Sequence, residues 1–407
     1  MIEKEGDRAH ALVNHPTDAA RGCGFVSVNN RRQRIVVKIG SSSLTEDGGQ
    51  LSYTKLEAFI DQMAKLYQDE HAQIIVVSSG AVALGMAQLG WRRSDSTMPE
   101  KQAAAAVGQS LLMQAYQKAF AGLGIHIAQL LLTKTDIEDR KRFVNIRNTM
   151  ETLLYHGIIP IINENDTVAV EEIRFGDNDT LSSFVAMVAD ADLLVLLTDV
   201  DGLYSTDPRT YPDAKKLDDV WQIDAAIEGM AGAEGSDRGT GGMRTKVAAA
   251  KIATGSGVNM VLAASTVEDV LVRVVRGEKI GTRFHARPGE LPARKSWLMY
   301  GTRPEGRLVV DDGAARALLR TNGSLLLPGI VAVQGDFQEG AIVSVERENG
   351  LEIAKGLCNF SAWDLRVLID RRQQGESLRQ MQEAVHRNQL VLAHQKGGKN
   401  RGIEARD

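Results

Sequence analysis

Short apolar runs recur between residues 35 and 262, each separated from the next by a stretch of helical spacing, and no other feature constrains the fold as tightly. The runs are Ile35–Val37, Ile74–Val77, Ile125–Leu130, Ile158–Ile162, Leu193–Leu197 and Val258–Leu262. A strand with one wet face alternates apolar and polar residues, whereas these runs are nearly continuous, as expected of strands buried on both faces. Between them, residues 54–68 place Leu56, Phe59, Ile60, Met63, Leu66 and Tyr67 on one side of a helix. Pro99 opens another helix that runs to about Ala121. The expected fold is α/β, a three-layer αβα sandwich around a mainly parallel sheet.

The alternation fades near Phe284, and residues 285–293, with two prolines and a glycine, read as a linker. The first domain is therefore expected over 34–288. Beyond it, Ser296–Tyr300, Arg307–Val310, Ile330–Val333, Ala341–Val345 and Leu351–Ala354 read as short strands separated by Gly-containing turns, with one helix at 311–320. This predicts a small, mostly β, barrel-like domain over 293–370. Residues 371–407 read as a polar, partly ordered tail, and residues 1–33 as a disordered extension or an overcalled start.

Bulk properties narrow the function. The formal net charge of −4 is not that of a polyanion binder. Cys23 and Cys358 lie far apart and make neither a disulfide framework nor a metal pattern. No apolar run approaches the ~20 residues of a membrane helix, and the first thirty residues lack the apolar centre of a secretory signal. No membrane role is expected, and the cytoplasm is the default location. The chain has no GxxxxGK[ST] loop, no strand-linked GxGxxG and no HExxH.

What remains gathers at predicted strand ends, where parallel α/β sheets bind their ligands. Lys38 ends the first run and is followed by Gly40 and three serines; Ser79-Gly80 ends the second. Asn163-Glu164-Asn165-Asp166 follows the fourth, Thr198-Asp199 the fifth, and Gly176-Asp177-Asn178-Asp179 stands between them. The Gly-rich run Gly239–Lys246 leads into a helix. Taken singly each is weak, since strand-end lysines are often solvated and Asp-Asn clusters often only turn the chain. Together they supply backbone donors, a helix start and two lysines, the parts needed to position and neutralise a phosphoryl group. Asp177 and Asp179 could hold those lysines or meet Mg²⁺ through water, while Asp166 and Asn178 could bind the two charged ends of an amino acid.

These stretches, with Ala106-Val107-Gly108-Gln109-Ser110, resemble the amino acid kinase family, and within it the bacterial branch that phosphorylates the side-chain carboxylate of glutamate. The likeness runs in order from residue 34 to about 370, and the Asn163–Asp166 and Gly176–Asp179 motifs, ten residues apart, are specific to that branch. The module holding Leu326-Leu327-Pro328-Gly329 and Gly335-Asp336-Phe337 resembles a PUA domain. The resemblance implies that Lys38 binds ATP phosphates and Lys246 stabilises the transferring phosphoryl group, with Asp179, and Asp177 beside it, organising the two lysines. It implies that Thr198, Asp199, Thr240, Gly241, Gly242, Met243, Arg244 and Thr245 line the nucleotide, and that Ser79, Asp166 and Asn178 hold glutamate. It further implies Mg²⁺, proline as feedback inhibitor, a homo-oligomer (dimer or tetramer) and a glutamyl phosphate reductase as partner. Metal ligands stay unassigned, Asp177 through water being the candidate. Arg244 departs from the family pattern, which has a smaller residue there. Acetylglutamate kinase, aspartokinase and uridylate kinase share the fold but not the motif pair.

The competing class is an RNA-binding or regulatory protein working through the PUA-like module. Residues 294–370 carry nine Lys and Arg against ten Asp and Glu, and 371–407 carry eight against four. Aromatics make up 5% of the chain, so cation clusters and stacking platforms for RNA are both sparse.

Overall fold

The computed structural model describes residues 32–46, 48–169, 178–232, 242–286, 293–321, 323–374 and 382–393. Its first domain is built on an eight-stranded sheet of β1 (Arg34–Ile39), β2 (Gln73–Ser78), β3 (Ile127–Leu132), β4 (Ile159–Glu164), β5 (Leu193–Thr198), β6 (Asp219–Val220), β7 (Asn259–Ala264) and β8 (Thr282–Phe284). Their order is β3-β4-β2-β1-β5-β7-β8-β6. Strands β3 to β7 of that order run parallel, while β8 turns back antiparallel against β7. The sheet is thus mainly parallel, as its apolar runs require.

Helices cover both faces. The relevant ones are α1 (Tyr53–Gln68), α2 (Ala81–Leu89), α3 (Met98–Ala121), α4 (Arg140–Tyr155), α5 (Asn178–Val188) and α6 (Met243–Gly255). Side chains alternate across each strand, so Ile35, Val37, Ile74 and Val76 pack on Leu56, Ile60 and Met63 of α1 and on Leu112 and Tyr116 of α3. Val36, Ile75, Val77 and Leu194 face the other way, onto Leu181 and Val185 of α5, Val247 of α6 and Phe143 of α4. Two cores, one per face, make the three layers. Among the described residues no helix is long and apolar enough to cross a membrane.

Two glycines set how closely α2 and α3 cross. A Cβ on Gly108 would lie 1.8 Å from the Ala81 carbonyl oxygen, and one on Gly85 would lie 1.7 Å from that of Ala104. Each glycine accepts the backbone of the opposite helix, so the helices meet main chain to main chain.

After the linker the structure departs from the sequence expectation. Ser296–Tyr300 is not a strand but part of a helix, α7 (Ala293–Tyr300). A four-residue apolar run has no readable period, and packing decides it. Trp297 is buried, donates its indole N–H to the Ile137 carbonyl at 2.7 Å and lies 5.9 Å from the Phe143 ring. The second correction concerns the polar tail. Strand Glu383–Val385 pairs with Leu325–Leu326, and Leu390–Leu392 closes the edge of the second sheet. These strands are three residues long and set among polar neighbours, too brief to register as pattern. The expected extension 1–33 falls almost wholly outside the described residues, as do the centre of the linker and the end of the tail.

The second sheet has five strands, β9 (Gly306–Val310), β10 (Ile330–Gln334), β11 (Ile342–Arg347), β12 (Glu352–Leu357) and β13 (Leu390–Leu392), in the order β10-β9-β11-β12-β13. Helices Asp312–Thr321 and Ala362–Gln373 accompany it, the latter absent from the sequence expectation. Leu308, Val343, Val345, Ile353 and Leu365 form its own core. Helix α7 touches α5 on one side and β12 and β13 on the other. Ile342 and Val391 of the second domain join the apolar cluster that holds Trp297, Leu298 and Leu181. The two domains therefore share buried surface through α7.

Because the α2–α3 crossing has backbone on both sides, Gly108→Ala should destabilise by about 3 kcal/mol, the upper range for overpacking. Gly229→Ala, in a helix with nothing within 4 Å of the added Cβ, should be neutral or stabilise by about 0.5–1 kcal/mol. Urea unfolding midpoints measure both; a wild-type midpoint for Gly108→Ala would show that the helices part without cost.

Candidate active site

Strand β1 lies at the middle of the parallel sheet, with β2, β4 and β3 on one side and β5 and β7 on the other. The crevice above its carboxyl end is the kind of switch point at which such sheets hold ligands. Lys38, one residue from that end, shares the face of Val36 and so points toward α5 and α6. Helix α5 opens with Asn178 and Asp179, and α6 is preceded by Gly242 and carries Lys246 in its first turns.

These three elements converge on one carboxylate. Asp179 is 1% exposed. Its Oδ1 lies 2.5 Å from Lys38 Nζ and its Oδ2 lies 3.1 Å from Lys246 Nζ, while the Thr245 hydroxyl stands 3.1 Å from Oδ2. Both lysines are buried as well, at 8% and 5% exposure. Burial by itself would raise the Asp179 carboxyl, but the two neighbouring ammonium groups outweigh it and hold Asp179 below the usual carboxylate range. A lysine near a helix N-terminus opposes the helix dipole, so Lys246 gains nothing from its position except access to the crevice.

A second cluster lies beside the first. Asn178 Nδ2 donates to the Ser78 carbonyl at 3.0 Å, to Ser79 Oγ at 2.8 Å and to Asn163 Oδ1 at 2.9 Å. Asn163, 4% exposed at the end of β4, also accepts from the Glu164 backbone N–H at 2.9 Å and donates to Gln109 Oε1 at 2.8 Å. Ser78 Oγ lies 3.0 Å from the Tyr116 hydroxyl, whose ionisation burial pushes up. Gly80, with φ +108°, provides the left-handed turn from β2 into α2 that other residues resist.

Thus Lys38, Asp179, Thr245 and Lys246 come together, and Ser79 and Asn178 come together, with the two groups adjoining at residues 178 and 179. Thr198 is buried at the end of β5 and donates to Asp199 Oδ1 at 2.9 Å; Asp199 itself is exposed. Asp166 lies half-buried on the turn after β4. Gly242 caps α6, Met243 is half-buried and Arg244 exposed. Asp177, Thr240 and Gly241 lie outside the described residues. Asn163 and Gln109 are site residues that the sequence reading quoted in motifs without assigning them a role. Gln109 sits one residue after the glycine of the helix crossing. Among the described residues no group of three or more His, Cys, Asp or Glu side chains gathers around a metal position.

Two buried lysines thus share one carboxylate above the switch point of a mainly parallel sheet, in an α/β domain without a P-loop. Residues 33–264 match the amino acid kinase family, and residues 306–374 match the PUA domain. Over 364 residues the chain is 47% identical to a glutamate 5-kinase of Methylobacillus flagellatus, covering 88% of this chain and 97% of that protein. It is 46% identical to one of Pseudomonas entomophila over 364 residues, 88% of this chain and 98% of that one. To one of Moorella thermoacetica it is 45% identical over 367 residues, 89% and 97% respectively. The chain belongs to the amino acid kinase family and carries a PUA domain behind its kinase domain.

Asp179→Asn leaves two buried ammonium groups without their counter-charge, and breaking a buried pair in this way costs about 3–5 kcal/mol. The lowered Asp179 ionisation fixes the sign of the pH effect. Its contribution is complete above the ordinary aspartate value of ~3.9 and fades as pH falls through the lower native value. The stability gap between wild type and Asp179→Asn should therefore be flat from pH 7 to about 4.5 and narrow below ~3.9. Urea unfolding across that range checks it; a gap independent of pH would contradict it.

Proposed function

We propose that this chain transfers the γ-phosphoryl group of MgATP to the γ-carboxylate of L-glutamate, giving glutamyl 5-phosphate, the first step of proline biosynthesis. The observation that carries the proposal is the sharing of Asp179 by Lys38 and Lys246 over the end of β1. The near-full-length identity to glutamate 5-kinases supports the choice of acceptor.

The sheet order suggests how the substrates lie. Ser79 follows β2, Asn163 lies near the end of β4 with Asp166 just beyond it, Lys38 lies one residue from the end of β1, and Thr198 ends β5. In this reading the amino acid occupies the β2–β4 side, held by Ser79, Asn178 and Asp166. The nucleotide occupies the β5 side, against Thr198, Asp199 and the residues from Thr240 to Lys246. The phosphates then lie between, within reach of both lysines.

The chemistry asks little else of the protein. A glutamate side chain ionises near ~4.3, so the nucleophile is already a carboxylate at neutral pH and needs no general base. One of its oxygens attacks the γ-phosphorus as the bond to the β–γ bridging oxygen breaks, and that oxygen leaves with the electron pair on ADP. The obstacle is repulsion between two anions, and the catalytic contribution is fixed positive charge plus alignment. Lys38 offsets charge on the phosphates, Lys246 that on the transferring group, and Asp179 keeps both ammonium groups in place. Mg²⁺ bound with the nucleotide would offset phosphate charge, with Asp177 through water as its candidate protein contact.

The product, an acyl phosphate, hydrolyses readily, which favours immediate use by a glutamyl phosphate reductase. Proline inhibition, a dimer or tetramer and a cytoplasmic site of action complete the proposal. RNA binding through the PUA domain is less well supported, given the near-balanced charge of residues 294–370.

Lys38→Ala and Lys246→Ala should each lower kcat by about 10²–10³, the usual loss for one preorganised charge contact. Coupled ADP release with folded protein measures this, and wild-type turnover by either variant removes that lysine from the mechanism. Asp166→Ala should raise the KM for glutamate by about 10- to 100-fold, the worth of a hydrogen bond to a charged group. The KM for ATP should stay near its original value; equal rises in both would make Asp166 structural.

A further inference from the structure

We propose that Gln109 is a positioning residue for the acceptor amino acid, fixing which way round two buried side-chain amides stand. This rests on glutamate as acceptor and refines that reading.

An asparagine amide can turn over at little cost unless its neighbours dictate its direction. Here the direction is dictated from two backbone groups whose polarity cannot change. The Glu164 N–H can only donate, and it meets one end of the Asn163 amide at 2.9 Å, so that end is oxygen. The other end is then the NH₂ group, and the atom of Gln109 facing it at 2.8 Å must be oxygen. The Ser78 carbonyl can only accept, and it meets one end of the Asn178 amide at 3.0 Å, so that end is nitrogen. The same nitrogen reaches Asn163 Oδ1 and Ser79 Oγ. The two fixed points agree, and the whole relay runs in one direction.

The consequence lies at the crevice. With Nδ2 turned toward Ser78 and Asn163, Asn178 presents Oδ1 on its opposite side as an acceptor. Nδ2 has two protons to share among these three oxygens and no acceptor to offer, so the single hydroxyl proton of Ser79 is left to donate elsewhere. An acceptor oxygen beside a hydroxyl donor matches the ammonium and carboxylate of a free α-amino acid. Gln109 completes the relay from α3, at the point where Gly108 lets that helix approach α2. Without its oxygen, the Asn163 NH₂ group is buried and unsatisfied; turning it over would instead face nitrogen to the Glu164 N–H and the Asn178 NH₂ group. Either outcome reaches Asn178.

The test compares Gln109→Leu, which removes the oxygen, with Gln109→Glu, which keeps it. Steady-state kinetics are read at several ionic strengths, because a partly buried carboxylate is screened far less than an exposed one. Gln109→Leu should raise the KM for glutamate about tenfold and leave that for ATP unchanged. Gln109→Glu should stay within about threefold of wild type for both. Gln109→Met replaces the leucine variant if that protein fails to fold. An unchanged glutamate KM in the leucine or methionine variant overturns the assignment. So do equal rises for glutamate and ATP, or a glutamate variant as impaired as the leucine one. If wild type itself does not phosphorylate glutamate, the acceptor reading falls first and the role of Gln109 with it.

Discussion

One carboxylate, that of Asp179, holds the site together. Two ammonium groups placed at this spacing would repel each other, and burial would make each costly to ionise. Asp179 answers both problems by standing between Lys38 and Lys246. The cations come from elements more than two hundred residues apart in sequence, a strand end and a helix start, and a single residue on a third element brings them to one place. Asp179 lies at the start of α5, where the helix dipole favours a negative charge. Its neighbour Asn178 belongs to a neutral amide network. The first two residues of one helix therefore divide the crevice into a charged half and a polar half, and any displacement of α5 would disturb both.

The second domain bears on that helix. Helix α7 rests against α5 and shares an apolar cluster with Ile342 and Val391 beyond the linker. The Lys355 ammonium also reaches the Met299 carbonyl at 3.5 Å. The PUA domain is thus packed onto the support of the helix that carries Asp179, and its stability and that of the crevice are linked through common buried surface.

Much of the kinase domain could be read from the sequence because its strands are buried on both faces. Ile35–Val37 and Leu193–Leu197 carry a signal that exposure would have diluted with polar residues. Lys38 was legible because it stands near Gly40 at a strand end, and Asp179 and Lys246 because each follows a Gly-containing run that opens a helix. Gln109 was not, since it lies in the middle of a long helix and gains its role from Asn163, fifty-four residues away. Nothing in local spacing reports a contact that depends on how two helices cross. Helix α7 was misread for a related reason: four apolar residues admit either period, and the Trp297 bond to Ile137 decides between them. The short strands after residue 382 are held by partners rather than by propensity.

The reciprocal glycines at 85 and 108 carry an implication for redesign. Helix α2, which leads on from Gly80, is seated directly on the peptide units of α3, so neither residue at the crossing has a side chain to shorten. The usual large-to-small exchanges therefore have no purchase on that contact. Any change in how α2 meets α3 has to come from the residues that flank the crossing.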